Sequence, residues 1–451
     1  MESPVQLLNV LEWVYADRRR AAGQHESGPA SADGRIPAPA SGEAAVPGPA
    51  AEPGPGAAPG PPAVPGPAAE PGAAAPGDAV RPAPDGGRPT APGSAVHPTP
   101  DTPNPGTANP DTPTPDATAP FARRGAGPSG SGGITVVVLS PTDPMTRGQL
   151  RRMAELARDE GLTVRWEEAR GGAGAPFQTI GSLAPALRRA ARIVIGDPFS
   201  RYVQLLLTLA RARDLVVVDD GTATMEFVAQ LARGERLVRW HRTGRRGGAR
   251  EAVFAPVAAA ARRRLTPRRG HRVEVFSSMP VEPPDGVTVT GNAFAWTRAR
   301  FGPPQLTRGS DLVGTSLAET GVVDLDRYIE AVGALARAHG ATRYFAHRRE
   351  SAEKLRRLSE ETGLEIVRPD LPLELIARRG PIGRTILSFP STVVHTLPLA
   401  LAGTEVKVAV FDIDPAWLTD TASPRAQGFL SGVTGSARDV HRLDSLPASA
   451  P

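Results

Sequence analysis

The chain contains no cysteine, which excludes disulfides, thiolate metal sites and cysteine nucleophiles. Aromatics make up only 5% of it, and its densest basic stretch lacks the run of interleaved aromatic residues that a single-strand nucleic-acid binder needs, so no nucleic-acid partner is expected. No apolar run reaches membrane-spanning length, because the longest, from Ile386 to Ala402, is broken by Pro390, His395 and Pro398. The first residues do not read as a signal peptide, and a soluble, cytoplasmic protein is the expectation. No Walker loop is present, and the eight histidines show no metal-ligand spacing.

Proline (49) and glycine (48) are by contrast abundant, and they concentrate between residues 24 and 133, where hardly a large apolar side chain occurs. Burial cannot offset the entropy of ordering such a segment, so it is expected to be a disordered Pro/Ala/Gly-rich insertion. The octapeptide PGPAAEPG stands at 47–54 and again at 65–72, a low-complexity expansion rather than a folded repeat. The formal charge is +5, nearly all of the positive side from arginine, and residues 233–272 are the one region basic enough to attract a partner. A solvated basic face is the plain reading of that region; an anionic acceptor glycan or peripheral membrane association is the functional one.

Beyond the insertion the pattern becomes regular. ITVVVL (134–139), TVRWEE (163–168), RIVIG (192–196) and LVVVD (215–219) read as strands, alternating with amphipathic helices. A second series follows from Asp311, with strands at LVGTSL, TRYFAH, EIVRP, RTILSF and EVKVAVFD, again separated by helices. Continuous β-branched strands between helices indicate parallel sheets covered on both faces. The expected map is a first helix of an N-terminal Rossmann-like domain at 1–23, the insertion at 24–133, the rest of that acceptor-side domain at 134–300, a donor-side Rossmann-like domain at 301–440 and a tail at 441–451. The opening SPVQLLNVLEWVYADRRR puts Leu7, Leu8, Leu11 and Val14 at helical spacing, a core-facing helix with no strand before it.

Three polar signatures end three of the apolar runs: Asp219-Asp220-Gly221, His347 followed by Arg348 and Arg349, and Ser391-Thr392 after Pro390. Such positions lie at the C-terminal edges of strands, where open α/β sheets bind ligands. One carboxylate of the Asp pair suits a general base and its neighbour an orienting group or helix cap, although Asp-Asp-Gly also reads as a plain capped turn. His347 beside guanidinium groups suits a departing phosphate, with a surface histidine as the alternative. Ser391 and Thr392 open a helix, where free N–H groups and the helix dipole favour an anion, and where either is also an ordinary cap. Glu374, one element earlier, suits ribose hydroxyls or a solvent-facing first turn, and Gly314 lies on the same nucleotide side. Asp412 and Asp414 form an Asp-x-Asp after the last strand, where structural capping is expected and no metal site. A base, a phosphate partner and a phosphate cradle together are what transfer of a sugar from a nucleotide donor requires.

In order and strand context these residues resemble the D/E-D/E-G, His-Pro and Ser-Ser/Ser-Thr motifs of bacterial sialyltransferases and polysialyltransferases of the two-domain GT-B fold. The resemblance covers about Ile134 to Leu418 and the opening SPVQLLN segment. It implies a GT-B fold with two Rossmann-like domains facing across a cleft. It further implies inverting, metal-independent transfer of sialic acid or a related nonulosonic acid from a CMP-activated donor to a glycan acceptor, with no further cofactor. By the same resemblance the base is in the Asp219/Asp220 pair, while His347, Ser391 and Thr392 serve the CMP phosphate and Glu374 and Gly314 the ribose and cytosine; within the pair, where either carboxylate could face the cleft, Asp219 is slightly preferred. Two features depart from the pattern: Arg348 stands where the motif has Pro, and the first strand is missing, for which a mis-assigned start codon is the simplest account. The competing readings are a transferase or epimerase of the same fold using another nucleotide sugar, and an inactive glycan-binding scaffold recruiting partners through the Pro-rich arm.

Overall fold

The computed structural model describes residues 1–26, 133–172, 174–238, 249–420, 422 and 424–443. Residues 27–132 of the expected disordered insertion, with both PGPAAEPG copies, residues 239–248 of the basic region and the last eight residues of the tail lie outside the described residues, while Gln24–Glu26, assigned to the insertion, are the last residues of the first helix.

The first half opens on α1 (Pro4–Glu26) and continues through β1 (Thr135–Leu139), α2 (Pro144–Asp159), β2 (Thr163–Glu167), α3 (Ala175–Arg189), β3 (Arg192–Ile195), α4 (Arg201–Leu209), β4 (Asp214–Val218) and α5 (Thr222–Ala232). It closes with α6 (Ala249–Leu265), β5 (Arg272–Ser277), β6 (Val287–Gly291) and the short α7 (Ala295–Arg300). All its strand pairs are parallel, in two pieces, β1–β2 and β3-β4-β5-β6. No strand precedes α1. Met1 instead bonds to β1, its amine donating to the Val137 carbonyl (2.5 Å) and its carbonyl accepting from the Leu139 N–H (2.9 Å). These lie on the edge away from β2, since the β2 side uses the alternate residues Ile134 and Ser140.

The second half runs β7 (Leu306–Val313), α8 (Leu325–His339), β8 (Ala341–Phe345), α9 (Ala352–Thr362), β9 (Glu365–Val367), α10 (Leu373–Arg379), β10 (Ile382–Ser388), α11 (Val393–Ala400), β11 (Lys407–Phe411), α12 (Pro424–Ser436) and β12 (His441–Leu443). Its six parallel strands are ordered β12-β11-β10-β7-β8-β9. Strand order reverses between β7 and β10, so the loops after those two strands flank the crevice where a doubly wound sheet binds its ligand. The expected α/β class with parallel sheets holds, and the topology is consistent with two Rossmann-like halves. Five elements fall outside the sequence reading. His441–Leu443, assigned to the tail, pairs with β11 as an edge strand too short and polar to show periodicity. Residues 249–300 hold α6, β5, β6 and α7, and arginines at both ends of α6 obscure its apolar residues.

Helix α1 joins the pieces. Leu7, Leu8 and Leu11 are buried among Val136, Val138 and Met153 on one side, Val216, Val218 and Phe276 on another, and Leu371, Leu375 and Ala400 of the second half. Each fully buried leucine contributes about 1.5–3 kcal/mol. Its other face is polar and equally buried. Gln6, Asn9 and Glu12, spaced three apart, are all at most 3% exposed. The Glu12 carboxylate accepts the first N–H groups of α7, from Trp296 (2.8 Å) and Thr297 (2.9 Å), satisfying donors that a helix start leaves open.

Much of the described basic region is structurally employed. Arg272 makes a two-point ion pair with Asp214 (2.8 Å each), Arg233 pairs with Glu235 (2.6 Å), and Arg262, Arg263 and Arg264 occupy the last turn of α6, where the helix dipole favours cations.

Replacing Glu12 by Ala leaves two N–H groups of α7 buried without acceptors and should lower stability by about 2–3 kcal/mol, while Glu12→Gln, which keeps one acceptor oxygen, should lose roughly half as much. Urea denaturation of the three proteins measures this; an unchanged midpoint in Glu12→Ala would show that the α7 cap is dispensable.

Candidate functional site

β4 carries the buried run Leu215–Val218 between β3 and β5 and delivers Asp219 and Asp220 to the C-terminal edge of the sheet. Gly221 then turns the chain with φ 64°, a conformation other residues rarely adopt. A side chain there would also meet the Thr392 methyl group of the second half, 3.0 Å from where its Cβ would stand. The Asp-Asp-Gly turn and the Ser-Thr turn are therefore in direct contact.

The two carboxylates have different surroundings. Asp219 is 2% exposed and fully engaged. Its Oδ1 accepts the Gly221 N–H (3.0 Å), its Oδ2 accepts both the N–H (3.1 Å) and the hydroxyl (2.9 Å) of Ser278, and its carbonyl accepts the Asn9 amide (3.0 Å). Burial raises its pKa against the pull of these bonds. Asp220 is half-buried, and its carboxylate accepts hydrogen bonds from Ser3 Oγ (3.4 Å) and Gln6 Nε2 (3.1 Å), both near the start of α1.

His347 follows β8. Its N–H donates to Glu350 Oε2 (2.6 Å) and its Nδ1 accepts the Arg349 N–H (3.2 Å), which leaves the ring proton of the neutral form on Nε2. Glu350 is itself fixed by the Tyr344 hydroxyl (2.6 Å) and by Lys354 Nζ (2.7 Å), and Lys354 also donates to the Thr315 carbonyl (2.9 Å). Burial, then the charges of Arg348, Arg349 and Lys354, push the His347 pKa down to about 4. Arg348 reaches solvent, but protein on either side strips part of its hydration and lowers its pKa; Asp220 and then Asp143, both in the first half, act in the opposite direction. The His347 loop thus faces the Asp220 side of the seam.

At the start of α11, the Ser391 hydroxyl oxygen is buried with no hydrogen-bond partner. Glu374 is 5% exposed, accepts the Thr396 hydroxyl (2.6 Å), and has a pKa raised by burial and, to a lesser degree, by Asp219. It is not the solvent-facing first-turn carboxylate of the alternative reading. Gly314 donates its N–H to the Phe345 carbonyl (2.9 Å), and the space a Cβ would need is filled by the Glu350 carboxylate and the Tyr344 hydroxyl. Gln149 of α2 donates to the Pro369 carbonyl (2.7 Å) and Arg152 pairs with Asp370, which ties α2 to the segment before α10.

Among the described residues no cluster of three or more His, Asp or Glu has the arrangement of a metal site. Asp414 accepts the Ala416 N–H (2.8 Å) as a helical cap. No described helix is long and apolar enough to cross a membrane. A separate open cavity of about 640 Å³, lined by Arg236, Leu237, Arg262, Arg263 and Arg268 among others, lies by the C-terminal ends of α5 and α6, at the sheet edge opposite the Asp pair.

Sequence reasoning missed four residues of this site. Gln6 and Asn9 were signalled by polar residues three apart on an otherwise apolar helix, Ser278 by its position after β5, and His395 by its place in the apolar run VVHTLPLA.

No protein family and no curated protein matches the chain. Among solved structures it is similar to an α/β-galactoside α-2,3-sialyltransferase from the luminous marine bacterium Photobacterium phosphoreum, at 9% identity over 68% of this chain and 90% of that one, with a TM-score of 0.37. It is also similar to a sialyltransferase from Photobacterium damsela (10% identity, 68% and 75% of the two chains, TM-score 0.33) and to Acinetobacter baumannii MurG (11%, 69% and 77%, TM-score 0.28). Scores this low carry nothing about chemistry, which has to come from the residues themselves.

The His347 environment makes stability depend on pH. An imidazole held near 4 in the folded chain and near 6.5 in the unfolded one contributes stability that is complete above about 6.5 and is lost as pH falls towards 4, because only the unfolded chain takes up the proton. Between pH 7 and 5 the loss should be about 2 kcal/mol. Urea denaturation at pH 7, 6 and 5 should show this slope in the wild type and a flatter one in His347→Gln; equal slopes would contradict the depressed pKa.

Proposed function

We propose that the protein is a glycosyltransferase that takes a nonulosonic acid such as sialic acid from its CMP-activated form and passes it to a hydroxyl of a glycan acceptor. The observation that carries this reading is the contact of Gly221 with Thr392, which sets a carboxylate pair of one Rossmann-like half against a hydroxyl-bearing helix start of the other. Asp220 is assigned the base. Asp219 already accepts three hydrogen bonds and supports the turn, whereas Asp220 is the more open of the two and lies on the His347 side. In the reaction Asp220 takes the proton of the acceptor hydroxyl as its oxygen bonds to the anomeric carbon, the bond from that carbon to the phosphate oxygen breaks, and CMP leaves with the bonding pair.

His347 and the Ser391-Thr392 turn are assigned to the phosphate. Neutral in the unliganded protein, His347 meets the phosphate with its Nε2 proton, and an adjacent anion raises its pKa as charge builds on the leaving group. Glu374 and Gly314 are less well suited to ribose and base: Glu374 is committed to Thr396, and the space over Gly314 is occupied. A transferase using another nucleotide sugar shares every feature but the monophosphate assignment. We further propose a division of the chain into an acceptor-side domain at 134–300 and a donor-side domain at 301–440, with peripheral membrane association through residues 233–272.

CMP should raise the melting temperature more than UDP or GDP, and do so in EDTA; at a hundred times its dissociation constant it would add about 2.7 kcal/mol. Asp220→Asn should reduce transfer on the order of a hundredfold or more with little change in CMP affinity, while Asp219→Asn should mainly lower stability, by about 1–3 kcal/mol. Full activity in Asp220→Asn, or equal shifts with UDP, would overturn the assignment.

A further inference from the structure

Two polar atoms at the start of α11 are buried without a hydrogen-bond partner: the hydroxyl oxygen of Ser391 and Nε2 of His395. Ser391 stands just before the cap residue Thr392 and His395 lies in the first turn of α11, which is closed by the His395 N–H donating to the Thr392 carbonyl (3.1 Å). His395 is only 7% exposed. Leaving such atoms unpaired costs about 1–3 kcal/mol each, and native proteins retain few of them. A leucine in the apolar stretch VVHTLPLA would avoid that cost. The imidazole is thus kept against the demands of packing.

The surroundings are those of the candidate site. Thr392, between the two residues, touches the Asp-Asp-Gly turn at Gly221, Asp219 acts electrostatically on His395, and the next residue, Thr396, is the hydroxyl bound to Glu374.

We propose that Ser391 Oγ and His395 Nε2 form a two-point oxyanion subsite at the start of α11 that binds the phosphate of a nucleotide, which makes His395 a second phosphate-binding imidazole beside His347. The identity of the oxyanion rests on the donor-nucleotide reading above; the subsite itself rests on the two unpaired atoms. Burial lowers the His395 pKa, with Asp219 pulling weakly the other way, so the ring is neutral and presents a single N–H. The helix start adds its dipole. Asp219 and Glu374 are both raised by burial, and an anion nearby shifts them further towards the protonated form, which removes the repulsion a charged pair would exert.

The test is calorimetry with CMP, cytidine and inorganic phosphate on the wild type, His395→Leu, His395→Gln and Ser391→Ala, with the melting temperature of each protein read without ligand. His395→Leu should melt no lower than the wild type, bind CMP about tenfold more weakly and bind cytidine equally well. Gln, whose amide reaches the position of Nε2, should restore most of the loss. Ser391→Ala should also weaken CMP and spare cytidine. It decides the question if the Leu variant folds poorly: loss on CMP alone upholds the subsite, and no loss overturns it. Equal losses on CMP and cytidine would also overturn it, since the contact would then be to the nucleoside. If the wild type binds no nucleotide, the proposed function fails separately, and inorganic phosphate decides: binding that depends on His395 keeps the subsite, and absent or His395-independent binding removes it.

Discussion

The hydrogen bond from the Asn9 side chain to the Asp219 carbonyl holds the Asp-Asp-Gly turn to α1, and the rest of the site depends on that attachment. Asn9 is oriented in turn by the amide of Asn292 (2.7 Å), whose own oxygen accepts the Phe294 N–H (2.9 Å) at the entry to α7. Gln6, one turn earlier, reaches Asp220, and Glu12, one turn later, caps α7. A single helix therefore fixes the positions of both carboxylates and of the segment that leads into the second half. Its leucines do the complementary work, filling the core between the two pieces of the first sheet and the α10–α11 side of the second. Any displacement of α1 has to break apolar packing and buried hydrogen bonds together, and buried polar bonds are costly to leave unmade.

How much of this was legible follows from what each signal depends on. β4, LVVVD in the sequence reading and Asp214–Val218 in the structure, was readable because a parallel strand buried on both faces leaves an uninterrupted β-branched run. Helix α8 was readable because Asp324 caps its start, Gly340 ends it in the left-handed region and its apolar residues recur at helical spacing. The apolar face of α1 was readable for the same reason. Its polar face was not, because Gln6, Asn9 and Glu12 look like solvent-facing residues until their partners, more than two hundred residues away, are known. Helix α6 shows the opposite failure: ten alanine, valine and phenylalanine residues lie between arginines, so charge density hid the element. Pairwise meetings such as Gly221 with Thr392 are properties of the assembled fold, and no local pattern encodes them.

The Asp pair illustrates how environment separates chemically identical neighbours. Sequence leaves Asp219 and Asp220 nearly equivalent, with only a slight preference for Asp219. In the structure the alternation of the strand continues into the turn, so one carboxylate goes inward to Ser278 and the Gly221 N–H and the other outward towards the seam. A carboxylate that already accepts three donors has little capacity left to receive a substrate proton without breaking the turn it supports. Its neighbour is half-buried and is held by Ser3 and Gln6 at the start of α1 rather than by the turn itself.

Arg348 then acquires a role that the proline of the resembled motif lacks the charge to fill. A proline fixes the backbone after the histidine; here the backbone is fixed instead by Glu350, which binds the His347 N–H and is held by Tyr344 and Lys354. That leaves the next position free to carry a guanidinium, which keeps its proton and so needs a counter-charge where protein strips its hydration. Asp220 and Asp143 of the first half supply it. Because Arg348 also reaches solvent, the attraction is screened.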